Sequence, residues 1–349
     1  MVQSEVTFRP GMTIGEACLQ ASSLLAGLGI GEPRSNANLL ICHVLGFTKA
    51  ELLRDWHEPM PEQLFETWAT LIARKAAGEP VQYLIGEGWF YGRPFTVTPA
   101  VLIPRPETEL LVEAVLEEAD KLWPQTGEKA KVPTVVDVGV GSGAIAVTLS
   151  AERPGWRLFA SDLSPDALAV ARGNAARLEA AERITFVQGD LLLPFAVGGN
   201  SGEDQSGFAS EQDTVEGAGD AVGVSNVISS SNAERAAESV AGLHIDVLVS
   251  NPPYIPAADI PGLQPEVRDY EPRLALVGGG DDGLEPYRRM AVQLPQLAQL
   301  PRIVGFELGI GQAQDVADLL RAIGHWDDIR IITDYGGIDR HVLAIRSGE

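Results

Sequence analysis

The segment VVDVGVGSG, residues 135–143, is the clearest indication of the fold, because it places three β-branched valines directly before three closely spaced glycines. A short apolar run bounded by glycines is typical of a buried strand. The glycines at 139, 141 and 143 let the chain turn tightly and let its backbone approach a ligand without interference from Cβ atoms. A helical pattern follows at Ala144–Ala151. The stretch therefore predicts a strand, a ligand-binding loop and a helix.

The same alternation of short strands and helices continues to the end of the chain. Strands are predicted at 135–138, 157–160, 184–187, 245–249, 303–307, 329–333 and 341–345, with helices at 144–151, 165–180, 287–300 and 312–323. The turn at Gly336-Gly337 joins the last two strands as a hairpin-like pair rather than a crossover. The pattern predicts an α/β fold, with a seven-stranded doubly wound, Rossmann-like sheet whose last strand is antiparallel.

The N-terminal part of the chain has a different pattern. Residues 1–77 show apolar spacing typical of helices, broken by glycines and prolines, and predict a small helical bundle for substrate docking. Residues 78–106 are rich in Pro, Gly and aromatic residues and predict a hairpin linker. A catalytic domain is predicted at 107–349. Within it, residues 196–242 have too few apolar residues to offset the entropy of ordering, and predict a flexible low-complexity insertion.

Charge and composition exclude several classes of protein. Lys and Arg total 26 against 48 for Asp and Glu, so the net charge is −22, which disfavours direct binding to nucleic acid. No run of about 18 apolar residues and no leader pattern occurs, so we expect a cytoplasmic protein without membrane contact. The two cysteines, Cys18 and Cys42, lie in apolar helical patterns and indicate neither a disulfide nor a metal site.

The glycine loop by itself permits two cofactors. With Ala144 it fits the spacing G-x-G-x-x-A of nicotinamide-binding proteins. Asp162 lies at the end of the next strand, where a carboxylate can accept hydrogen bonds from ribose hydroxyls. It is also possible to read the glycines as serving helix packing alone. Three features favour S-adenosyl-L-methionine: the antiparallel last strand, Asp137 placed to attract an ammonium group, and Gly189-Asp190-Leu191 placed to meet an adenine. We therefore expect an S-adenosyl-L-methionine-dependent methyltransferase.

The tetrad Asn251-Pro252-Pro253-Tyr254 follows the fourth strand, at the edge where doubly wound sheets bind ligands. The prolines remove two N–H donors, so the Asn251 side-chain oxygen and the Pro252 carbonyl are preset to accept both hydrogens of a planar NH₂ group. Tyr254 can stack on that group. Hydrogen bonds to both hydrogens favour a pyramidal, more nucleophilic nitrogen, so alignment with the methyl group is the main catalytic task, without a metal or a strong base.

Five motifs together resemble those of the bacterial peptide chain release factor N5-glutamine methyltransferases. They are IPRPETE at 103–109, the loop at 137–146, the tetrad at 251–254, FELG at 306–309 with Gln312, and DYGG at 334–337 with Asp339-Arg340. The resemblance implies transfer of a methyl group from S-adenosyl-L-methionine to the glutamine of the Gly-Gly-Gln loop in class I release factors. The insertion at 196–242 is the main departure from the family pattern.

The resemblance also assigns residues to the two ligands. It implies that the cofactor contacts Gly139, Val140, Gly141, Ser142, Gly143, Asp162, Asp190, Leu191 and Asn251, and Asp137 is expected to join them because of its charge. It implies that Asn251, Pro252, Pro253 and Tyr254 hold the glutamine and form the catalytic tetrad, with Arg105 also on the substrate side. Leu191 stands where some relatives have an aromatic residue, so adenine stacking should be weaker here.

Three other functions are compatible with parts of the sequence. A DNA adenine-N6 methyltransferase has a similar tetrad, but must hold a polyanion, which the net charge of −22 opposes. A methyltransferase acting on a ribosomal large-subunit protein is a closer rival, and the RPETE motif at 105–109 favours the release-factor branch. A non-enzymatic partner of the translation machinery that binds S-adenosyl-L-methionine would not need the intact tetrad.

Overall fold

Five helices form the N-terminal part of the protein in the computed structural model, which describes residues 6–7, 9–124, 132–198 and 240–348. They are α1 (Ile14–Gly27), α2 (Pro33–Leu45), α3 (Lys49–Arg54), α4 (Glu62–Ala76) and α5 (Val81–Ile85). Helix α1 begins with a capping box, in which the hydroxyl of Thr13 accepts the Glu16 N–H and the Glu16 carboxylate accepts the Thr13 N–H. Gly46, in the left-handed conformation, ends α2.

These helices share one apolar core. Trp68 of α4 is completely buried among apolar side chains of α1 and α2, and Val81 and Leu84 of α5 belong to the same cluster. The helical part thus extends through Ile85, beyond residue 77, where the sequence pattern placed the end of the bundle. Cys18 is buried in this core, and both cysteines are free thiols.

A hairpin and a long helix connect the bundle to the sheet. Strands β1 (Glu87–Phe90) and β2 (Arg93–Thr96) pair antiparallel, and α6 (Pro106–Leu122) follows. Buried Asn174 joins the hairpin to the next domain, because its amide donates to the Thr96 carbonyl at 2.9 Å and to the Ser142 carbonyl at 2.8 Å. Its oxygen accepts the Thr96 N–H at 2.7 Å.

Seven strands form the central sheet in the order β5-β4-β3-β6-β7-β9-β8. They are β3 (Thr134–Val138), β4 (Arg157–Asp162), β5 (Ile184–Gln188), β6 (Val247–Ser250), β7 (Ile303–Glu307), β8 (Asp328–Thr333) and β9 (Asp339–Ile345). The first five are parallel, whereas β9 runs antiparallel to both β7 and β8. The predicted doubly wound sheet with an antiparallel last strand is confirmed.

Helices cover both faces of this sheet. The remaining helices of the described chain are α7 (Ala144–Glu152), α8 (Pro165–Arg177), α9 (Pro265–Arg268), α10 (Arg273–Leu276), α11 (Glu285–Gln293) and α12 (Ala313–Ile323). Val135 and Val249 pack with α6, α7 and α8 on one face, and Val136 and Leu248 pack with α11 and α12 on the other. Both faces are therefore buried, as the continuous apolar runs predicted.

Two predicted helices end earlier than expected. The helix expected at 287–300 begins at Glu285 and ends at Gln293, because Pro295 has no N–H to continue it, and a separate 3₁₀ turn follows at Leu294–Gln296. The helix expected at 165–180 ends at Arg177, and Glu179 takes a positive φ of 57°. In both places the local backbone conformation ends the helix although the apolar pattern continues.

The predicted insertion falls mostly outside the described residues, which omit 199–239. Its two ends meet, since the Gly242 N–H donates to the Phe195 carbonyl at 3.1 Å. The bundle meets the segment before α10 through the completely buried Lys75, whose ammonium contacts Glu266 at 2.5 Å, and through the Tyr270 hydroxyl, which donates to Ala77. None of the helices that the structure describes is long and apolar enough to cross a membrane.

Candidate functional site

A cavity of about 520 Å³ lies at the carboxyl ends of β3, β4, β5 and β6. Its volume is in the range of small-molecule sites, and its position is where doubly wound sheets bind ligands. Residues predicted for both ligands line it: Arg105, Gly139, Val140, Gly141, Ser142, Asp162, Asp190, Leu191, Asn251 and Pro253. The structure thus brings ten of the fourteen predicted residues to one cavity.

The glycine loop forms one wall. Gly139 and Gly141 have positive φ values of 75° and 52°, which L side chains rarely adopt. A Cβ atom at Gly139 would meet nothing within 4 Å, so the loop leaves open space beside its backbone. Gly143 is not among the lining residues, and its Cβ position lies 3.4 Å from Ala171 of α8. Its role in the structure is helix packing.

Asp162 shapes this loop from the end of β4. One carboxylate oxygen accepts the Gly141 N–H and the other accepts the Ser164 N–H, both at 2.9 Å. Burial raises the pKa of Asp162, and these hydrogen bonds oppose that shift. Each carboxylate oxygen retains a lone pair, so Asp162 can hold the loop and still accept hydrogen bonds from a ligand hydroxyl.

Asp137 lies behind the cavity wall and is not among the lining residues. It is 1% exposed, and its Oδ2 accepts the Ala146 N–H at 3.0 Å. No partner for its Oδ1 occurs among the described residues. Burial raises the pKa of Asp137 to about 7, the Ala146 hydrogen bond lowers it, and the neighbouring Asp162 raises it. Such a group favours a nearby cation.

The turn at Gly189-Asp190-Leu191 forms the far end of the cavity. A Cβ at Gly189 would lie 2.1 Å from Pro194 Cγ, so this turn is closely packed. Leu191 takes a positive φ of 52° and lines the cavity. Asp190 forms an ion pair with Arg289 of α11, which also lines the cavity. No local sequence pattern predicts a role for Arg289, which lies 99 residues from Asp190 along the chain.

Of the tetrad, Asn251 and Pro253 line the cavity. Pro252 and Tyr254 are not among the lining residues. The Tyr254 ring packs on the core that includes α11 and α12, and burial, followed by the charge of Glu307, raises the pKa of its hydroxyl. Tyr254 therefore stays protonated.

Gln312 fixes the backbone of the tetrad. Its amide nitrogen donates to the carbonyls of Tyr254 at 2.9 Å and Asp282 at 2.8 Å, while its oxygen accepts the Gly309 N–H at 2.8 Å. Three loops are thus tied to one side chain. From the sequence, Gln312 stood out only as part of a family motif, because no local pattern shows which backbone groups a glutamine reaches.

Residues of the segment after the tetrad also line the cavity. Arg105 forms an ion pair at 2.6 Å with Glu271, whose side chain is 2% exposed. Burial raises the pKa of Glu271, and the charge of Arg105 lowers it. Leu274 of α10 lines the cavity while remaining 54% exposed, so it forms an apolar rim. Neither Glu271 nor Leu274 was singled out by the sequence analysis.

Comparison with known proteins gives two matching family models. Residues 16–86 match the PrmC N-terminal domain, and residues 135–199 match a methyltransferase domain. The first match ends with α5, as the helical core does.

Similar curated proteins cover nearly the whole chain. The release factor glutamine methyltransferase of Moorella thermoacetica is 38% identical over 97% of this chain and 100% of its own length. That of Chlorobaculum tepidum is 39% identical over 89% of this chain and 90% of its own length. Among solved structures, a human methyltransferase 10 domain containing protein is 16% identical, with a TM-score of 0.46, over 74% of this chain and 90% of its own.

Proposed function

We propose, since this chain belongs to the release factor glutamine methyltransferase family, that it methylates the side-chain nitrogen N5 of the glutamine in the Gly-Gly-Gln loop of class I release factors. The methyl donor is S-adenosyl-L-methionine, and S-adenosyl-L-homocysteine is the second product. One observation carries the proposal: Asn251 lies in the wall of the cavity, beside the glycine loop, and its Nδ2–H group donates a hydrogen bond to the Thr108 hydroxyl oxygen at 3.2 Å.

The residues that line the cavity, with Asp137 behind its wall, fit the cofactor. Asp137 has a buried oxygen without a partner among the described residues, which suits a cation, and the backbone at Gly139 leaves open space for a ligand. The loop at 139–142, Asp162 and the Asp190-Leu191 turn would hold the cofactor. When bound, the cofactor supplies an electrophilic methyl group on a sulfonium. The protein then has to orient the nitrogen that attacks it.

On the substrate side, Asn251 determines the orientation of the glutamine amide. Its Oδ1 is an acceptor on a residue that lines the cavity, and the Pro252 carbonyl is the second acceptor in this proposal. Accepting both hydrogens aligns the nitrogen lone pair with the methyl group and excludes water from the nitrogen. The transfer needs no metal and no strong base, because the product amide can release its proton after the methyl group is attached.

The partners follow from the same chemistry. We propose class I release factors as the protein substrates, docked in part on the helical bundle, and activity in the cytoplasm. The net charge of −22 opposes direct binding to nucleic acid.

Labelled cofactor tests this function directly. The protein is incubated with a release factor, with its Gln→Ala loop variant, with ribosomal large-subunit proteins and with duplex DNA. We expect label in the release factor alone. Equal label in the Gln→Ala variant, or label in DNA or in a ribosomal protein instead, would contradict the proposal.

Asp137 predicts a pH dependence of cofactor binding. Its pKa is raised from 3.8 to about 7, so its contribution to folding stability is complete below pH 3.8 and is lost as pH rises through 7. A bound ammonium favours the ionised form. Cofactor affinity should therefore increase about 10-fold between pH 5.5 and 6.5, below the range in which an α-amino group loses its proton.

Calorimetric titration of wild type and Asp137→Asn checks this prediction. The cofactor affinity of the variant should not change with pH over the same range. The free energy of unfolding should decrease between pH 4 and 7 in the wild type but not in the variant. A wild-type affinity independent of pH would show that Asp137 does not sense the cofactor.

A further inference from the structure

We propose that Thr108 and Glu307 are positioning residues that set the direction of the Asn251 amide, an inference that rests on the proposed function. The Thr108 hydroxyl donates to Glu307 Oε2 at 2.5 Å, and the same hydroxyl accepts the Asn251 Nδ2 hydrogen at 3.2 Å. Thr108 lies 143 residues from Asn251 and 199 residues from Glu307 along the chain, so the three side chains meet only in the folded protein.

The side chains of Asn251, Thr108 and Glu307 form a hydrogen-bond relay, and Glu307, at its end, fixes the direction of both hydrogen bonds. A carboxylate has no hydrogen, so Glu307 can only accept, and the single hydrogen of Thr108 must point to it. The Thr108 oxygen is then left as an acceptor for Asn251, which has to present its NH₂ group. Asn251 Oδ1 therefore points away from Thr108 and is available to a substrate N–H.

The relay is rigid because its parts are buried and held. Thr108 is 4% exposed and Glu307 is 2% exposed, so water does not compete for their hydrogen bonds. The Thr108 N–H donates to the Arg105 carbonyl at 3.2 Å, and the Tyr287 hydroxyl donates to the Glu307 carbonyl at 2.6 Å. The His341 ring is also buried, with Nε2 3.8 Å from Glu307 Oε2, beyond hydrogen-bond distance.

Loss of the relay has a specific chemical result. An amide turned by 180° exchanges its oxygen and its NH₂ group at nearly the same shape. Without an acceptor at Thr108, Asn251 can present NH₂ to the substrate NH₂, so two donors face each other. The fraction of productive complexes falls, whereas the loop at 139–142, Asp162 and the Asp190-Leu191 turn, which would hold the cofactor, are unchanged.

Two substitutions at position 108 distinguish the effect of the hydroxyl group from the effect of side-chain packing. Thr108→Val keeps the shape and removes the hydroxyl, whereas Thr108→Ser keeps the hydroxyl. We expect Thr108→Val to lower kcat about 10-fold, with unchanged KM for the release factor and unchanged cofactor affinity, and Thr108→Ser to stay within about 2-fold of wild type. A rise in KM alone, or equal kcat in both variants, would overturn the proposal.

A double-mutant cycle with Asn251→Ala shows whether Thr108 acts through Asn251. In the Asn251→Ala background, Thr108→Val should cause no further loss of turnover. A full additional loss would mean that Thr108 acts independently. If Thr108→Val does not fold, Thr108→Val/Glu307→Met removes both partners at similar volume and gives the same comparison.

A spectroscopic readout separates this inference from the proposed function. In protein labelled with ¹⁵N-asparagine, the Asn251 NH₂ signal is assigned by its absence in Asn251→Ala. We expect slow hydrogen exchange at this NH₂ in wild type and Thr108→Ser, and fast exchange in Thr108→Val. Equal exchange in all three would overturn the relay even if the release factor is methylated. Wild type that shows the protection but does not label the release factor would overturn the proposed function alone.

Discussion

Asn251→Ala is expected to lower kcat about 100- to 1000-fold, the loss typical of removing one preorganised hydrogen-bonding group from a transition state. Asn251 accepts a substrate hydrogen as positive charge develops on the nitrogen, so the interaction strengthens during the reaction. The measurement is single-turnover methyl transfer to a release factor at saturating cofactor. Cofactor affinity is determined separately, because the resemblance also places Asn251 next to the cofactor.

The matched control is Asn38→Ala, the same chemical change on α2 of the helical bundle. We expect it to leave kcat unchanged. Thermal unfolding of both variants shows whether the fold is retained. Turnover at the wild-type rate in folded Asn251→Ala would refute the role assigned to the tetrad.

Gly283→Ala is expected to lower kcat about 100-fold, the loss associated with a displacement of about 1 Å at a reacting group. The added Cβ would lie 2.1 Å from the Tyr254 carbonyl oxygen and 3.0 Å from Gln312 Nε2. The backbone of Tyr254 cannot rotate away from this contact as a flexible side chain would. The tetrad would therefore shift, and the hydrogen bond from Gln312 to Tyr254 would be lost.

Gly280→Ala separates this steric effect from backbone strain. Both glycines have positive φ, 59° at Gly280 and 73° at Gly283, so both substitutions carry the strain of a left-handed alanine. The nearest atom to a Cβ at Gly280 is Asp282 Oδ1, at 3.4 Å. We expect kcat of Gly280→Ala within about 3-fold of wild type. Equal losses in both variants would show that strain, not displacement of the tetrad, limits the rate.

Much of the fold could be predicted because its signals are local. The run at Val135–Val138 and the glycines after it specify a buried strand and a turn within nine residues. Helix ends were less predictable, because Pro295 and the positive φ of Glu179 interrupt apolar patterns that continue past them. The extent of the helical part depended on packing, since α5 joins a core formed by residues much earlier in the chain.

The residue pattern alone predicts the sheet, the loop at its edge and the residue types that meet a ligand there, because parallel strands bring their carboxyl ends to one edge. The partners of those residues, in contrast, are known only from the folded protein. The tertiary structure buries Asp137 behind the wall, pairs Asp190 with Arg289, and joins Thr108 to Glu307. Hydrogen bonds and ion pairs depend on distances between side chains far apart in the chain, and no periodicity encodes them.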